Sequence, residues 1–295
     1  MIKENALSVE PSNRMAAHDD SNIGSILVQE GRLSLTEVDR IMELHYREGL
    51  QFGAAAQLLG LVNENDLQAA LARQYDLPHL LPGNDGASQE LVAAHLPHHP
   101  RTEELRTLRT QLLVRWFNPA ADRRVLAIVS PGSGEGRSYL AANLAVVFSQ
   151  IGYRTLLIDA DLRKPRQHRI FNIPERKGLA AVLAGRANSE AVVPVPGFTK
   201  LCLLPAGILP PNAQDLLSRP LLAALLKKSQ SEFDIVLIDT PPTRLYSDAQ
   251  SVTFQAGSAV LLARKNHTHV TDTNQLLRQL SDTGTRVVGT VMNSF

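Results

Sequence analysis

Three short clusters hold the residues of this chain that could do chemistry. Ser130 to Ser138 read SPGSGEGRS. Asp159 and Asp161 stand two residues apart at the end of the apolar run Leu156-Leu157-Ile158. Asp239 ends a second such run, Ile235-Val236-Leu237-Ile238, just ahead of Thr240-Pro241-Pro242. Gly132, Gly134 and Gly136 let backbone N–H groups converge on an anion without a Cβ in the way. Ser138 is placed to give its hydroxyl to Mg²⁺, and the carboxylates supply the hard oxygens that this ion prefers. A strand-terminal Asp also serves as an ordinary helix N-cap. The inference of a magnesium–phosphate site therefore rests on the three clusters meeting.

The surrounding elements give them a reason to meet. Val125-Leu126-Ala127-Ile128-Val129 is short and β-branched enough for a buried parallel strand, and Tyr139 to Gln150 carries an apolar stripe at Leu140, Leu144, Val147 and Phe148. Strand, glycine-rich loop and helix together make a phosphate-binding loop. Its spacing departs from GxxxxGK[ST], with Pro131 at the first glycine and Arg137 at the lysine. Beyond 103, the pattern predicts helix 103–114, strand 124–130, helix 137–151, strands 154–159 and 200–204, helix 213–228, strand 234–239, helix 247–254, strand 257–264, helix 270–282 and strand 286–292. The stretch 163–199 reads as short helices and loop. Such alternation implies an α/β fold with a mostly parallel, doubly wound sheet, whose ligands bind at the carboxyl ends of the strands.

The rest of the chain divides by composition. Residues 1–20 read as a disordered tail. Residues 21–80 form a small helical module built on a repeat of period 29, in which Asn22-Ile23-Gly24 matches Gln51-Phe52-Gly53, Gly31 matches Gly60, Val38 matches Leu67 and Tyr46 matches Tyr75. Ser34 or Thr36 caps one unit, with Glu37 in the opening turn, and Asn63 with Asp66 caps the other. Residues 81–102, rich in Pro, Gly and His, read as a solvated linker, and 103–295 as the nucleotide domain. His95, His98 and His99 lack the Cys or spaced carboxylate of a metal site. The chain has 295 residues, a net charge of +1 and one cysteine, Cys202, best read as a buried hydrophobe. The charge balance argues against a nucleic-acid surface. No apolar run approaches the ~18 residues of a membrane span, and no secretory signal opens the chain.

Taken together, Pro131–Asn143, Leu156–Pro165, Leu204–Leu217 and Phe233–Ala249 resemble the bacterial tyrosine kinases of exopolysaccharide and capsule synthesis, P-loop enzymes related to the MinD/ParA partitioning ATPases. The likeness is greatest to the stand-alone, EpsG-type chain-length-determinant kinases. Partitioning ATPases carry an additional lysine at the place of Gly132. The resemblance implies an ATP- and Mg²⁺-dependent protein tyrosine kinase. Its nucleotide contacts would run through Gly132, Ser133, Gly134, Glu135, Gly136, Arg137, Ser138 and Tyr139, with Asn293 at the base. Arg137 would meet the β- and γ-phosphates, and Ser138, Asp161 and Asp239 would hold the metal. Asp159 would position or deprotonate the tyrosine hydroxyl. Glu103, Arg106 and Arg109 match the family's ExxRxxR helix, which joins subunits into a ring, although i, i+3 spacing also describes an ordinary ion-pair stripe.

The implied setting is a cytoplasmic protein recruited to the inner face of the cell membrane by a membrane chain-length-determinant partner. Arg137 replaces a compact ammonium by a planar fork, and Arg137→Lys is expected to preserve or raise activity. No tyrosine cluster precedes Phe295, so the expected acceptor is a tyrosine on another protein. The 21–80 module resembles the N-terminal domain of type II secretion and pilus ATPases. Asn22 and Gln51 stand where its cyclic di-GMP binders carry arginine, so docking is expected rather than cyclic di-GMP binding. The alternative function is a non-kinase ATPase assembly switch of the partitioning type, or a catalytically weak regulator.

Overall fold

The computed structural model describes residues 23–74, 86–174 and 177–294. The 1–20 tail, Asn22 and Tyr75 lie outside the described residues. The chain divides into two units, Met1–Leu77 and Pro78–Phe295.

In the first unit the repeat is visible as paired geometry. Helices α1 (Ile23–Gln29) and α3 (Phe52–Leu58) occupy equivalent places, as do α2 (Leu35–Glu48) and α4 (Glu64–Gln74). Gly31 and Gly60 follow the two short helices with the same backbone φ of +67°, a left-handed conformation that glycine adopts without strain. Ser34 caps α2 in a full capping box with Glu37. At the start of α4, Asp66 N donates to Asn63 Oδ1 at 2.8 Å. A Cβ on Gly24 would meet Phe52 at 3.3 Å and Val38 at 3.7 Å, and one on Gly53 would meet Leu67 at 2.7 Å. The paired glycines thus lie against the paired residues Val38 and Leu67. One core of Ile26, Leu27, Ile41, Leu44, Ala55, Ala56, Leu67 and Ala70 spans both repeats.

The second unit is organised by apolar runs that do not alternate, because both sheet faces are covered. Before the sheet come α5 (Val92–His95) and α6 (Pro100–Arg115). Then follow β1 (Val125–Val129), α7 (Arg137–Ser149), β2 (Thr155–Asp159), α8 (Gln167–Ile170), α9 (Leu179–Leu183), β3 (Val193–Pro194), β4 (Leu201–Leu204), α10 (Ala213–Leu217), α11 (Pro220–Glu232), β5 (Ile235–Asp239), α12 (Asp248–Ala256), β6 (Ser258–Arg264), α13 (Val270–Asp282) and β7 (Arg286–Asn293). The sheet order is β3-β4-β2-β5-β1-β6-β7. Neighbours are parallel except β3 against β4. Leu126 and Ile128 face the core beneath α5, α6 and α7, and Val125, Ala127 and Val129 face the core of α9 to α13. The mostly parallel, doubly wound sheet is the architecture expected from the sequence.

Three segments differ from the sequence reading. The expected helix 213–228 is two helices. Pro220 stands at the first position of α11 and holds Arg219 extended (φ −72°, ψ 149°), so α10 cannot continue through it. Part of the segment read as a linker is core: Leu91 to His95 are buried against α7. Asn143 fixes them there, accepting from Ala93 N at 2.9 Å and donating to the Glu90 carbonyl at 2.9 Å. His99 is no linker residue either, since it caps α6 by accepting from Arg101 N at 3.2 Å. The third difference is β3, a two-residue edge strand within the stretch read as helix and loop.

Candidate active site

The loop after β1 is built on two left-handed glycines, Gly134 (φ +73°) and Gly136 (φ +100°), where any other residue would be strained. Glu135 lies buried among them. Its carboxylate accepts from Gly132 N at 2.8 Å and from the Thr268 hydroxyl at 2.6 Å. Its carbonyl accepts from Asn293 Nδ2 at 3.0 Å. A Cβ at position 132 would lie 2.9 Å from Glu135 Oε1, so the place of the partitioning ATPases' lysine is closed by a carboxylate. Loop, β6–α13 turn and β7 are joined through one residue, the first two by its carboxylate and the last by its carbonyl.

Arg137 opens α7 but folds back under the loop. Its Nε donates to the Thr240 carbonyl at 2.8 Å, while Nη1 donates to the Ser130 hydroxyl and the Gly132 carbonyl. Burial pulls its pKa down, and Asp239, Asp161 and Glu135 oppose that shift. The guanidinium stays charged, because an Arg does not deprotonate in a protein. Its fork therefore clamps the loop to the end of β5 with two nitrogens held in one plane, a spread that a lysine's single ammonium nitrogen lacks.

The three carboxylates stand at adjoining strand ends but differ in what they touch. Asp159 and Asp239 are register partners across β2 and β5, and both are fully buried. Asp159 accepts from Asp161 N at 3.2 Å through Oδ1, and from Arg166 N at 3.1 Å and Gln167 N at 3.0 Å through Oδ2. Burial first, then the neighbouring Asp239, holds it well above the usual carboxylate range. Burial likewise pushes Asp239 up to about 6, against the hydrogen bonds from Gln167 and Ser138. Asp161 accepts from Lys164 N at 2.8 Å and Arg163 N at 3.1 Å.

A cavity of about 220 Å³ lies over this arrangement, lined by Ser133, Gly134, Gly136, Arg137 and Ser138 with Asp161 opposite, and bounded by Pro242, Leu245 and Tyr246. Neither Asp159 nor Asp239 lines it. The role expected for Asp159 at a tyrosine hydroxyl therefore meets a carboxylate already committed to backbone amides. A second cavity of about 390 Å³ lies between α6 and β7, with Tyr139, Leu105, Leu108, Val291 and Asn293 in its walls. The structure thus brings Tyr139 and Asn293 together in one cavity wall beside the loop.

The ExxRxxR residues separate. Glu103 and Arg106 pair with each other on the helix surface, whereas Arg109 Nη1 donates to the Val147 carbonyl of the chain's own α7 at 2.8 Å.

Sequence reasoning missed Gln167, whose side-chain nitrogen donates to Asp239 at 2.8 Å. It also missed the bidentate pair of Arg163 with the buried Asp248 (2.9 and 3.2 Å), which holds the guanidinium 4.5 Å from the centre of the Tyr246 ring. No adjacent residue signals the first, whose side-chain partners lie 29 and 72 positions away. The second joins residues 85 positions apart.

The residues fit a magnesium ion. Asp239 Oδ1 is buried with no hydrogen-bond partner, beside Ser138, and the oxygen-only donor set suits a hard cation held through one or two carboxylates plus phosphate.

Comparison with known proteins agrees with this geometry. Residues 122–294 match the ParA family model, described as NUBPL iron-transfer P-loop NTPase. The tyrosine-protein kinase YwqD of Bacillus subtilis is 33% identical over 205 residues, 70% of this chain and 86% of YwqD. EpsB of Ralstonia solanacearum is 34% identical over 206 residues, and the chain spans only 27% of its length. Among solved structures, the kinase domain of Escherichia coli tyrosine kinase ETK aligns with a TM-score of 0.67 at 26% identity, covering 73% of this chain and 84% of that one. The cell-division ATPase MinD of Pyrococcus furiosus aligns less extensively, with a TM-score of 0.51 at 29% identity over 57% of this chain and 71% of that one. The chain belongs to the ParA-type P-loop NTPases and, among them, to the bacterial tyrosine kinases.

Proposed function

We propose that the protein is an ATP-dependent protein tyrosine kinase that regulates exopolysaccharide chain length, polymerisation or export. One observation carries this reading: the loop, Ser138 and Asp161 share a cavity that opens beside Pro242, Leu245 and Tyr246, which leaves room for a hydroxyl acceptor next to the phosphate site. The loop's backbone N–H groups hold the phosphates, with Arg137 fixing the loop's shape. Ser138 and Asp239 would hold Mg²⁺, with Asp161 beside them. When bound, the ion neutralises charge on the phosphates. Asp161 is the carboxylate within reach of an acceptor hydroxyl, while Asp159 orders the turn that carries Arg166 and Gln167. The tyrosine oxygen forms its bond to the γ-phosphorus as the bond to the β–γ bridging oxygen breaks, and the phenolic proton passes to a carboxylate. Positioning and charge neutralisation supply most of the rate in such transfers.

Adenine would lie in the cavity holding Tyr139 and Asn293. The Glu103–Arg106 pair is the surface left for ring formation, and the 21–80 module is assigned to docking. Among the described residues no helix is long and apolar enough to cross a membrane, so a membrane chain-length protein would recruit the chain. Kinship with the chimerical protein CapA2B2, aligned at a TM-score of 0.64 and 30% identity over 76% of this chain and 97% of that one, supports the reading. Incubating the full chain with γ-labelled ATP and a tyrosine-containing polymer tests it. Label on tyrosine is expected, and free phosphate alone would instead assign an ATPase switch.

A further inference from the structure

Gln167 joins all three chemical clusters and is itself fully buried. Its backbone N–H donates to Asp159 Oδ2 at 3.0 Å. Its side-chain nitrogen donates to Asp239 Oδ2 at 2.8 Å and to the Ser138 carbonyl at 3.0 Å. A backbone carbonyl can only accept, so the amide must present its nitrogen to it, which fixes which end of the amide is the oxygen. That oxygen, Oε1, is buried without a hydrogen-bond partner, and so is Asp239 Oδ1. A buried acceptor left unmade costs ~1–3 kcal/mol. Two of them on a hydrogen-bonded pair of side chains, beside Ser138, describe a place prepared for donors that the protein does not supply. Water held by a hard cation supplies such donors, since Mg²⁺ sheds its water reluctantly and keeps several molecules when bound.

We propose that Gln167 is a positioning residue of the metal–phosphate site, its nitrogen holding Asp239 and Ser138 in place while its oxygen and Asp239 Oδ1 accept from metal-borne water. The proposal rests on the magnesium–nucleotide reading above. It gives Gln167 a task distinct from bracing β2 against β5. Bracing needs the nitrogen alone, whereas the orphaned oxygen has a use only when a hydrated ion is present. Outer-sphere partners of this kind typically change metal affinity by ~10–100-fold when removed.

The test measures Mn²⁺ binding to the full chain by electron paramagnetic resonance, with and without ADP, and ADP binding without metal by calorimetry. Gln167→Leu keeps the approximate volume and removes both amide atoms. Gln167→Met is the second variant, because its flexible side chain fills irregular space if leucine does not fold. The expected result is Mn²⁺ affinity in the presence of ADP lowered ~10–100-fold, metal-free ADP affinity changed less than ~3-fold, and turnover partly restored by raised Mn²⁺. Unchanged Mn²⁺ affinity would overturn the proposal, as would parallel loss of metal-free ADP binding or failure of both variants to fold, each of which would make Gln167 a strut. If the parent chain itself shows no ADP-dependent Mn²⁺ site, the magnesium–nucleotide reading fails first, which is a separate result.

Discussion

Asp159 and Asp239 face each other in register across β2 and β5, both without solvent exposure, and among the described residues no cationic side chain hydrogen-bonds to either. Arg137, the charge expected at the phosphates, donates to Thr240, Ser130 and Gly132. Burial raises both above their ordinary range, and the neighbouring Asp239 adds to the shift of Asp159.

The pair makes stability depend on pH in a defined direction. The folded-state value of Asp239 is about 6 against 3.8 for the free side chain, so the fold binds protons more tightly than the unfolded chain. This contribution is present in full below pH 3.8 and is lost as pH rises through about 6. Asp239→Asn removes the loss, and without nucleotide or metal it should stabilise the protein at pH 7.5 by on the order of 2 kcal/mol, or several degrees in Tm. The gain should shrink toward zero near pH 4. The same variant should lose magnesium-dependent turnover by ~100-fold or more, since Asp239 Oδ1 is the orphaned acceptor beside Ser138. Thermal melts across pH, paired with phosphate release, check both. A variant no more stable than the parent at pH 7.5 would remove the buried-charge cost assigned to Asp239.

Arg137→Lys separates anchoring from phosphate contact. The fork spans Thr240 on one side and Ser130 with Gly132 on the other, and an ammonium on a flexible stem cannot hold all three. The variant should retain turnover within ~3-fold while its Tm falls by several degrees, because charged hydrogen bonds contribute ~1.5–3 kcal/mol each. Turnover reduced more than tenfold at an unchanged Tm would show that the fork itself reaches the phosphates.

How much of this was legible in the sequence depends on the range over which each feature is encoded. The strands around Ile128, Ile158 and Ile238, the glycine loop and the three aspartates are all written in consecutive residues, and each was found. The Pro220 break was also local, but the apolar spacing on either side of it outweighed the proline. Gln167 was hidden because nothing adjacent to it marks a buried amide, and its partners Ser138 and Asp239 lie 29 and 72 positions away. The burial of Leu91 to His95 depends on Asn143, 50 positions from Ala93, so a Pro- and His-rich neighbourhood concealed a short core helix.

In the first unit, the repeat predicts matched energetics. Gly31 and Gly60 share φ +67°, and a Cβ at either meets nothing within 4 Å, so alanine there brings backbone strain without a clash. Gly31→Ala and Gly60→Ala should each destabilise this unit by ~1–2 kcal/mol, and by the same amount. Hydrogen exchange of α1 to α4 in the full chain reads that cost, and unequal values would show that the two halves are not equivalent. Cyclic di-GMP should bind the full chain more weakly than ~10 µM, about −7 kcal/mol at best, with Gln51 in a ligand arginine's place. Sub-micromolar binding by calorimetry would reverse that assignment.

The ExxRxxR residues should behave as two classes. Arg106, partly buried, pairs with the exposed Glu103, and ion pairs near the surface contribute ~0–1 kcal/mol, so its removal should change Tm little. Arg109 donates to the Val147 carbonyl and is half-buried, and burial lowers its pKa. Arg109→Ala leaves that carbonyl without its partner and should lower Tm by several degrees, corresponding to ~1–3 kcal/mol. If the Glu103–Arg106 face forms the heterologous contact that closes a ring, Arg106→Ala should shift light-scattering mass toward monomer with Tm preserved, whereas Arg109→Ala should change Tm first. An Arg106→Ala protein that assembles like the parent would leave the pair a solvated stripe and move the search for a subunit contact to another face.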